Sequence, residues 1–295
     1  TQTSFVHLFQ RSDAAHLSVD SSRRSLSGTG GTFRIGKTGG RPDSLGGIFK
    51  FESGITWRSP GLELNDVGFL QAADEINHFS WGSYHIRQPF SVFRTFQINY
   101  NHWARWDFGG RFLYNAYNTN INLWFKNNWR VGTGHTWNPF DVSNNALRGG
   151  PSLRRPAGMG HSIYFSSDER KKVNIWADAF LAWGAGNSVR SINYSFGVNL
   201  QPLNALNLSI YPGYDRSWRR QDQFVRRLIF NGAERSIVSE VEQRSFSLTA
   251  RLNYNITPDL TIQFYGQPYI FRALYKNFAR VTDPLNKQYD QRFEK

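Results

Sequence analysis

The sequence predicts an all-β fold: a transmembrane antiparallel up-and-down β-barrel of the bacterial outer membrane, with about 12–16 strands. Three observations predict it. Apolar residues alternate with period two over stretches longer than soluble strands need. The polar half of that alternation is Asn, Ser, Thr, Gln and Gly rather than Lys and Glu. The connections alternate between short turns and longer loops.

In chain order, residues 27–40 are Gly-rich (SGTGGTFRIGKTGG). Gly31 to Thr38 matches the letters of a phosphate loop, but Gly39-Gly40-Arg41-Pro42 breaks the helix such a loop must enter, so a turn and strand are expected. Residues 57–75 read as a loop, and residues 69–79 as its short helix. Residues 96–106 set Phe96, Ile98, Tyr100, His102, Ala104 and Trp106 against Gln97, Asn99, Asn101, Trp103 and Arg105. Residues 113–125, 173–183, 192–201 and 206–215 repeat the alternation. It is unbroken from Ser245 to Thr257, where Phe246, Leu248, Ala250, Leu252, Tyr254 and Ile256 share one face. A tilted membrane-crossing strand needs roughly 9–11 residues. Short turns are expected at Asn127-Asn128, 168–172, 202–205 and Pro258-Asp259; 138–157, 216–235 and 272–290 are expected as long connections on the outer rim. Trp103, Trp106, Trp129, Trp137, Trp183 and Tyr214 fall near strand ends and are read as aromatic girdles.

Composition excludes other classes. The 295 residues include 24 Phe, 13 Tyr and 10 Trp, too many large apolar groups for a disordered chain. No Cys is present, which excludes disulfide frameworks, thiolate metal sites and cysteine nucleophiles. No run approaches the roughly 20 apolar residues of a spanning helix. The net charge of +13 comes mostly from 27 Arg against 8 Lys, a bias toward planar recognition and ion pairing. Nucleic acid is a poor partner, because that charge is spread over strands and loops without a binding motif.

Residues 59–77 (SPGLELNDVGFLQAADEIN), 147–156 (LRGGPSLRRP) and 257–271 (TPDLTIQFYGQPYIF) resemble the C-terminal barrel region of a Bacteroidota outer-membrane family of unknown function. Members of that family often carry a carbohydrate-binding-like β-domain ahead of the barrel. The resemblance implies that residues 1–295 are a single barrel domain excerpted from a longer chain, lacking that domain and some final strands.

The sharpest local feature is Arg148 to Pro156, where two Gly and two Pro set an unusual path for Arg148, Arg154 and Arg155. Folded inward, it would constrict a pore with an anion-binding ring; the plainer alternative pairs these Arg with lumenal Asp and Glu. A second cluster, Arg216, Arg219, Arg220, Arg226 and Arg227, is read as an extracellular surface for lipopolysaccharide phosphates, a protein partner or plain solvent. No HExxH, GxSxG or calcium-loop spacing occurs. Asn144-Asn145 and Asn65-Asp66 offer isolated oxygen ligands, and His135, His161 and Ser162 fall on neighbouring strands. The expectation is a non-enzymatic protein without cofactor or metal. It is either a pore or transport-related barrel for small polar, anionic or glycan-derived solutes, or a plugged scaffold subunit of an outer-membrane complex. A soluble sugar-binding β-sandwich is the remaining alternative.

Overall fold

The computed structural model describes residues 13–18, 25–64, 70 and 72–295. They form one antiparallel meander: β1 (Gly30–Lys37), β2 (Gly47–Arg58), β3 (Glu75–Ile86), β4 (Phe93–Trp106), β5 (Phe112–Phe125), β6 (Arg130–Ser143), β7 (Leu153–Arg155), β8 (Gly158–Ser166), β9 (Val173–Gly184), β10 (Val189–Leu203), β11 (Leu206–Phe230), β12 (Ala233–Thr257), β13 (Leu260–Gly266), β14 (Tyr269–Val281) and β15 (Phe293–Glu294). Each long strand pairs with the next, giving a 15-stranded up-and-down sheet. β13 and β14 continue one another along β12, and the break at Gln267-Pro268 follows from proline's missing N–H. No helix among the described residues is long and apolar enough to cross a membrane.

Register converts the alternation into two faces. Ile163, Ala179, Tyr194, Tyr214, Phe246 and Ile270 form one continuous row across six strands. No described residue layer covers that face: Tyr194, Phe246 and Ile270 are 51%, 47% and 73% exposed. The opposite face is polar and internally bonded. Asn99 Nδ2 donates to Asn120 Oδ1 (2.7 Å), Asn101 to Asn118 (3.1 Å), and Asn118 to Thr136 Oγ1 (2.9 Å). Gly132 and Gly197 let the rings of Tyr164 and Trp176 lie across the neighbouring strand; a Cβ there would stand 1.9 and 2.1 Å from those rings.

Four expectations are corrected. The sheet is open, not a closed barrel: among the described residues β1 pairs only with β2, and β14 reaches no further than β12 and β15. β1 is short and Gly-rich, which leaves a weak edge. Residues 75–79, expected as helix, begin β3, because Ile76, His78 and Ser80 continue the apolar-face register of β2. Phe69 and Gln71 of that segment, with Asn65 and Asp66, lie outside the described residues. Residues 216–235 are no loop: β11 and β12 extend to a tight hairpin at Asn231-Gly232, both with positive φ (51° and 73°). Residues 272–281, likewise expected in a connection, belong to β14. The expected short turns at 127–128, 168–172 and 258–259 are present, and the one expected at 202–205 narrows to 204–205 because Pro202 and Leu203 belong to β10; all lie on one rim. Gly31–Lys37 is strand, as the helix-breaking sequence after it requires.

Candidate functional site at the mouth of the polar face

The rim opposite the short turns carries residues 59–64 and 72–74 and the segments 144–157 and 282–292. Residues 144–157 leave β6 and re-enter β8, yet they pack on strands far across the sheet. Leu147 and Leu153 are 1% and 2% exposed and bury against Val238 and Ala279, with Phe224 and Phe293 alongside. From β6 to β12 is five strand spacings, roughly 24 Å if flat. A loop holding both ends requires the sheet to curl around it.

Polar contacts complete the closure. Arg111 Nη1 donates to Asp13 Oδ2 (2.6 Å) and Ser152 Oγ (3.1 Å), the Ser152 amide donates to Asp13 Oδ2 (3.0 Å), and Ser152 Oγ donates to Asn144 Oδ1 (2.8 Å). Burial pushes the Asp13 carboxyl up, but the bonds from Ser152 and Arg111 outweigh it and leave it below its ordinary value. Arg292, 2% exposed, donates to the carbonyls of Asn286 (2.7 Å), Arg154 (2.6 Å) and Lys287 (3.3 Å). Burial, then the nearby Arg154 charge, lowers its proton affinity. Burial, then Asp222, raises the Tyr289 phenol, which donates to the Arg220 carbonyl at 2.5 Å.

Beneath this closure lies a cavity of about 850 Å³, lined by Arg58, Glu75, Arg105, Tyr114, Asp141 and Arg155 among others. Arg105 Nη1 pairs with Glu75 at 2.9 Å and Arg58 with Glu75 at 3.6 Å. A chamber walled by both signs of charge suits small polar solutes and water.

The three loop arginines do not converge. Arg155 lies between Asp222 (Nε–Oδ1 3.3 Å) and Asp141 (3.9 Å), Arg154 stacks over Phe140 (5.1 Å), and Arg148 over Phe224 (5.7 Å). No ring of free guanidiniums forms: Arg155 meets carboxylates, as the plainer alternative expects, while Arg148 and Arg154 lie over aromatic rings instead. Positive φ at Arg148 (47°) and Gly149 (92°) turns the chain inward.

The second basic cluster is also divided. A strand sends successive residues to opposite faces, and bulges at 219–226 shift the phase. Arg216 pairs with Glu242 (2.9 Å), Arg219 with Asp222 (3.6 Å) and Arg220 with Asp290 (2.6 Å). Arg227 pairs with Glu234 (3.6 Å) and donates to the Arg148 carbonyl (2.9 Å), while Arg226 is exposed, in register with Ile237, and has no ion pair among the described residues.

Of the aromatic set, Trp106, Trp137, Trp183 and Tyr214 stand in the apolar register, and Trp129 packs edge-on against Phe165 of that face. Trp103 does not join them: it shares register with Phe79 and Ala116 on the polar side and lines the cavity. His135 and His161 are register partners with rings 6.0 Å apart, but Ser162 points to the other face and donates to the Gly134 carbonyl. Thus no His–Ser pair forms there. Elsewhere, His16 Nε2 lies 2.9 Å from buried Asp74, near Asp107. Sequence reading missed Asp13, Arg111, Ser152, Asp222 and Arg292, because no local motif joins segments so far apart.

These features define a two-faced antiparallel meander whose polar mouth is closed by its own connections. Residues 8–293 match the family described as a domain of unknown function, DUF5916, and the chain belongs to that family. No curated protein and no solved structure matches it.

Proposed function

We propose that this chain is the wall of a transmembrane β-barrel in the outer membrane of a Bacteroidota bacterium, and that the barrel passes small polar, anionic or glycan-derived solutes. The observation that carries this reading is the pair of faces: a polar, hydrogen-bonded face beside an exposed apolar face with no covering layer among the described residues. In water such a face would be an extreme patch; against lipid it is the expected exterior. Closure would join the free edge of β1 to that of β13–β14, directly or through further strands, as lipid tolerates no open edge.

Residues 144–157 act as the gate. Their docking on β11, β12 and β14 holds the mouth shut, and undocking opens the charged chamber. A second reading is a plugged scaffold subunit, favoured because Arg148, Arg154 and Arg155 all turn to internal partners.

Planar-bilayer conductance separates the two. The whole protein and a Leu147→Ala/Leu153→Ala variant are inserted, with the SDS-resistant mobility shift as the measure of folding. Larger or more frequent openings in the variant support gated passage. Silence from both, with the mobility shift intact, rejects passage in favour of the scaffold.

A further inference from the structure

The outward face of β11, β12 and β14 carries a cationic row that the mouth does not use. Arg216, Arg244 and Arg272 are register partners across these strands. They stand two residues beyond Tyr214, Phe246 and Ile270 on the same face, roughly 7 Å toward the rim of the long connections. Arg190 and Lys276 flank the row, and a groove of about 380 Å³ runs between Arg190, Arg216, Trp218, Glu242 and Lys276.

Like charges side by side on neighbouring strands repel, so the row needs anions. Glu242 alone serves two of the three: it lies 2.9 Å from Arg216 and 2.5 Å from Arg244. Both guanidiniums remain about half exposed, at 49% and 47%. Arg272 is exposed and has no ion-pair partner among the described residues. Lys276 pairs with Glu240 at 3.2 Å. Five cations against two carboxylates leave the strip positive, and its lower border is exposed apolar surface. That combination fits a phosphorylated amphiphile, with acyl chains along Tyr194, Phe246 and Ile270 and phosphate oxygens on the guanidinium forks.

We propose that Arg216, Arg244 and Arg272, flanked by Arg190 and Lys276, bind the phosphate groups of lipopolysaccharide in the outer leaflet. This rests on the barrel reading, which puts the long connections outside.

The test uses the full chain in phosphatidylcholine nanodiscs, with retained lipopolysaccharide counted by native mass spectrometry. The probes are purified lipopolysaccharide, the same material dephosphorylated, and inorganic phosphate as competitor. The expected result is retention that falls at least about tenfold on dephosphorylation and equally in Arg216→Gln/Arg244→Gln/Arg272→Gln. Arg226→Gln, at the hairpin, leaves retention unchanged. Arg272→Gln alone, which has no internal ion pair to lose, weakens retention without affecting insertion. Retention indifferent to dephosphorylation or to the triple variant overturns the proposal. Complete displacement by inorganic phosphate overturns it too, by making the row a free-anion site. Failure of the wild type to enter nanodiscs overturns the barrel reading instead.

Discussion

Leu153→Ala should release the inward loop, and the size of the effect follows from its burial. Leu153 and Leu147 are almost fully enclosed by Val238, Ala279 and Phe224. Truncating a buried Leu costs about 2–5 kcal/mol. The loop's own arginine side chains are weaker anchors: Arg148 over Phe224 is worth about 0.5–1 kcal/mol. The half-exposed Arg155 pairs add about 0–1 kcal/mol each. Apolar docking therefore shares the loop's anchoring with the buried bonds of Ser152 and Arg292, and Leu153→Ala should raise its opening equilibrium by about 30-fold to several thousand-fold. Hydrogen exchange reads this at the Gly150 amide, bonded to Leu147, and the Arg154 amide, bonded to Pro284. Arg148→Ala should change the same amides by less than about tenfold. The two Leu share one cluster, so their combined effect is not the sum. Unchanged protection of Arg154 in Leu153→Ala, or an equal loss in Arg148→Ala, would refute the reasoning.

Arg292→Ala removes three bonds from a buried guanidinium and should destabilise the fold by about 2–4 kcal/mol; the SDS-resistant form should melt at lower temperature. Asp168, in the turn after β8, is held well below the usual carboxylate range, chiefly by the Arg170 side chain. A depressed folded value contributes stability that is complete above the unfolded carboxyl pKa near ~4 and is lost as pH falls below it. Acid titration of unfolding should show that loss in the wild type and a flatter profile in Asp168→Asn. Gly232→Ala places a Cβ at φ 73° in the Asn231-Gly232 turn and should cost about 1–2 kcal/mol locally. Limited proteolysis should then cut at the hairpin tip sooner, with the rest of the sheet unaffected.

The strands were legible where alternation was uninterrupted. Residues 245–257 and 96–106 needed no context, because only a two-faced strand rewards that pattern. Alternation also gave the faces, which is why Trp106, Trp137, Trp183 and Tyr214 fall in one apolar register. The alternation of 96–106 sets Trp103 on the polar side, where it lies; only its ring size groups it with the girdle residues. Residues 216–235 read as a loop because Arg, Asp and Gln crowd both faces there. Beyond the apolar band a strand has no dry side, and pairing with the opposite hairpin arm replaces burial as the cause of extension. At the mouth, Arg148 to Pro156 stands out by its Gly and Pro, but the contacts that anchor it are not legible: Asp13, Arg111, Ser152 and Arg292 meet only after the sheet has formed.

The same principle separates the arginines. A meander brings residues far apart in sequence into one row, so chemistry in such a sheet is written across strands rather than along them. Arg148, Arg154 and Arg155 are close in sequence and disperse to Phe224, Phe140 and Asp222. Arg216, Arg244 and Arg272 are distant in sequence and become neighbours. On the polar side, facing segments supply carboxylates and carbonyls, so guanidiniums there are consumed as cross-links. On the outward side no layer of described residues covers the sheet, and Glu242 serves two arginines while Arg272 has no ion-pair partner among the described residues. Among the described residues only Glu242 and Glu240 offer that row a counter-charge, which is why we assign its remaining neutralisation to the phosphates of an amphiphile.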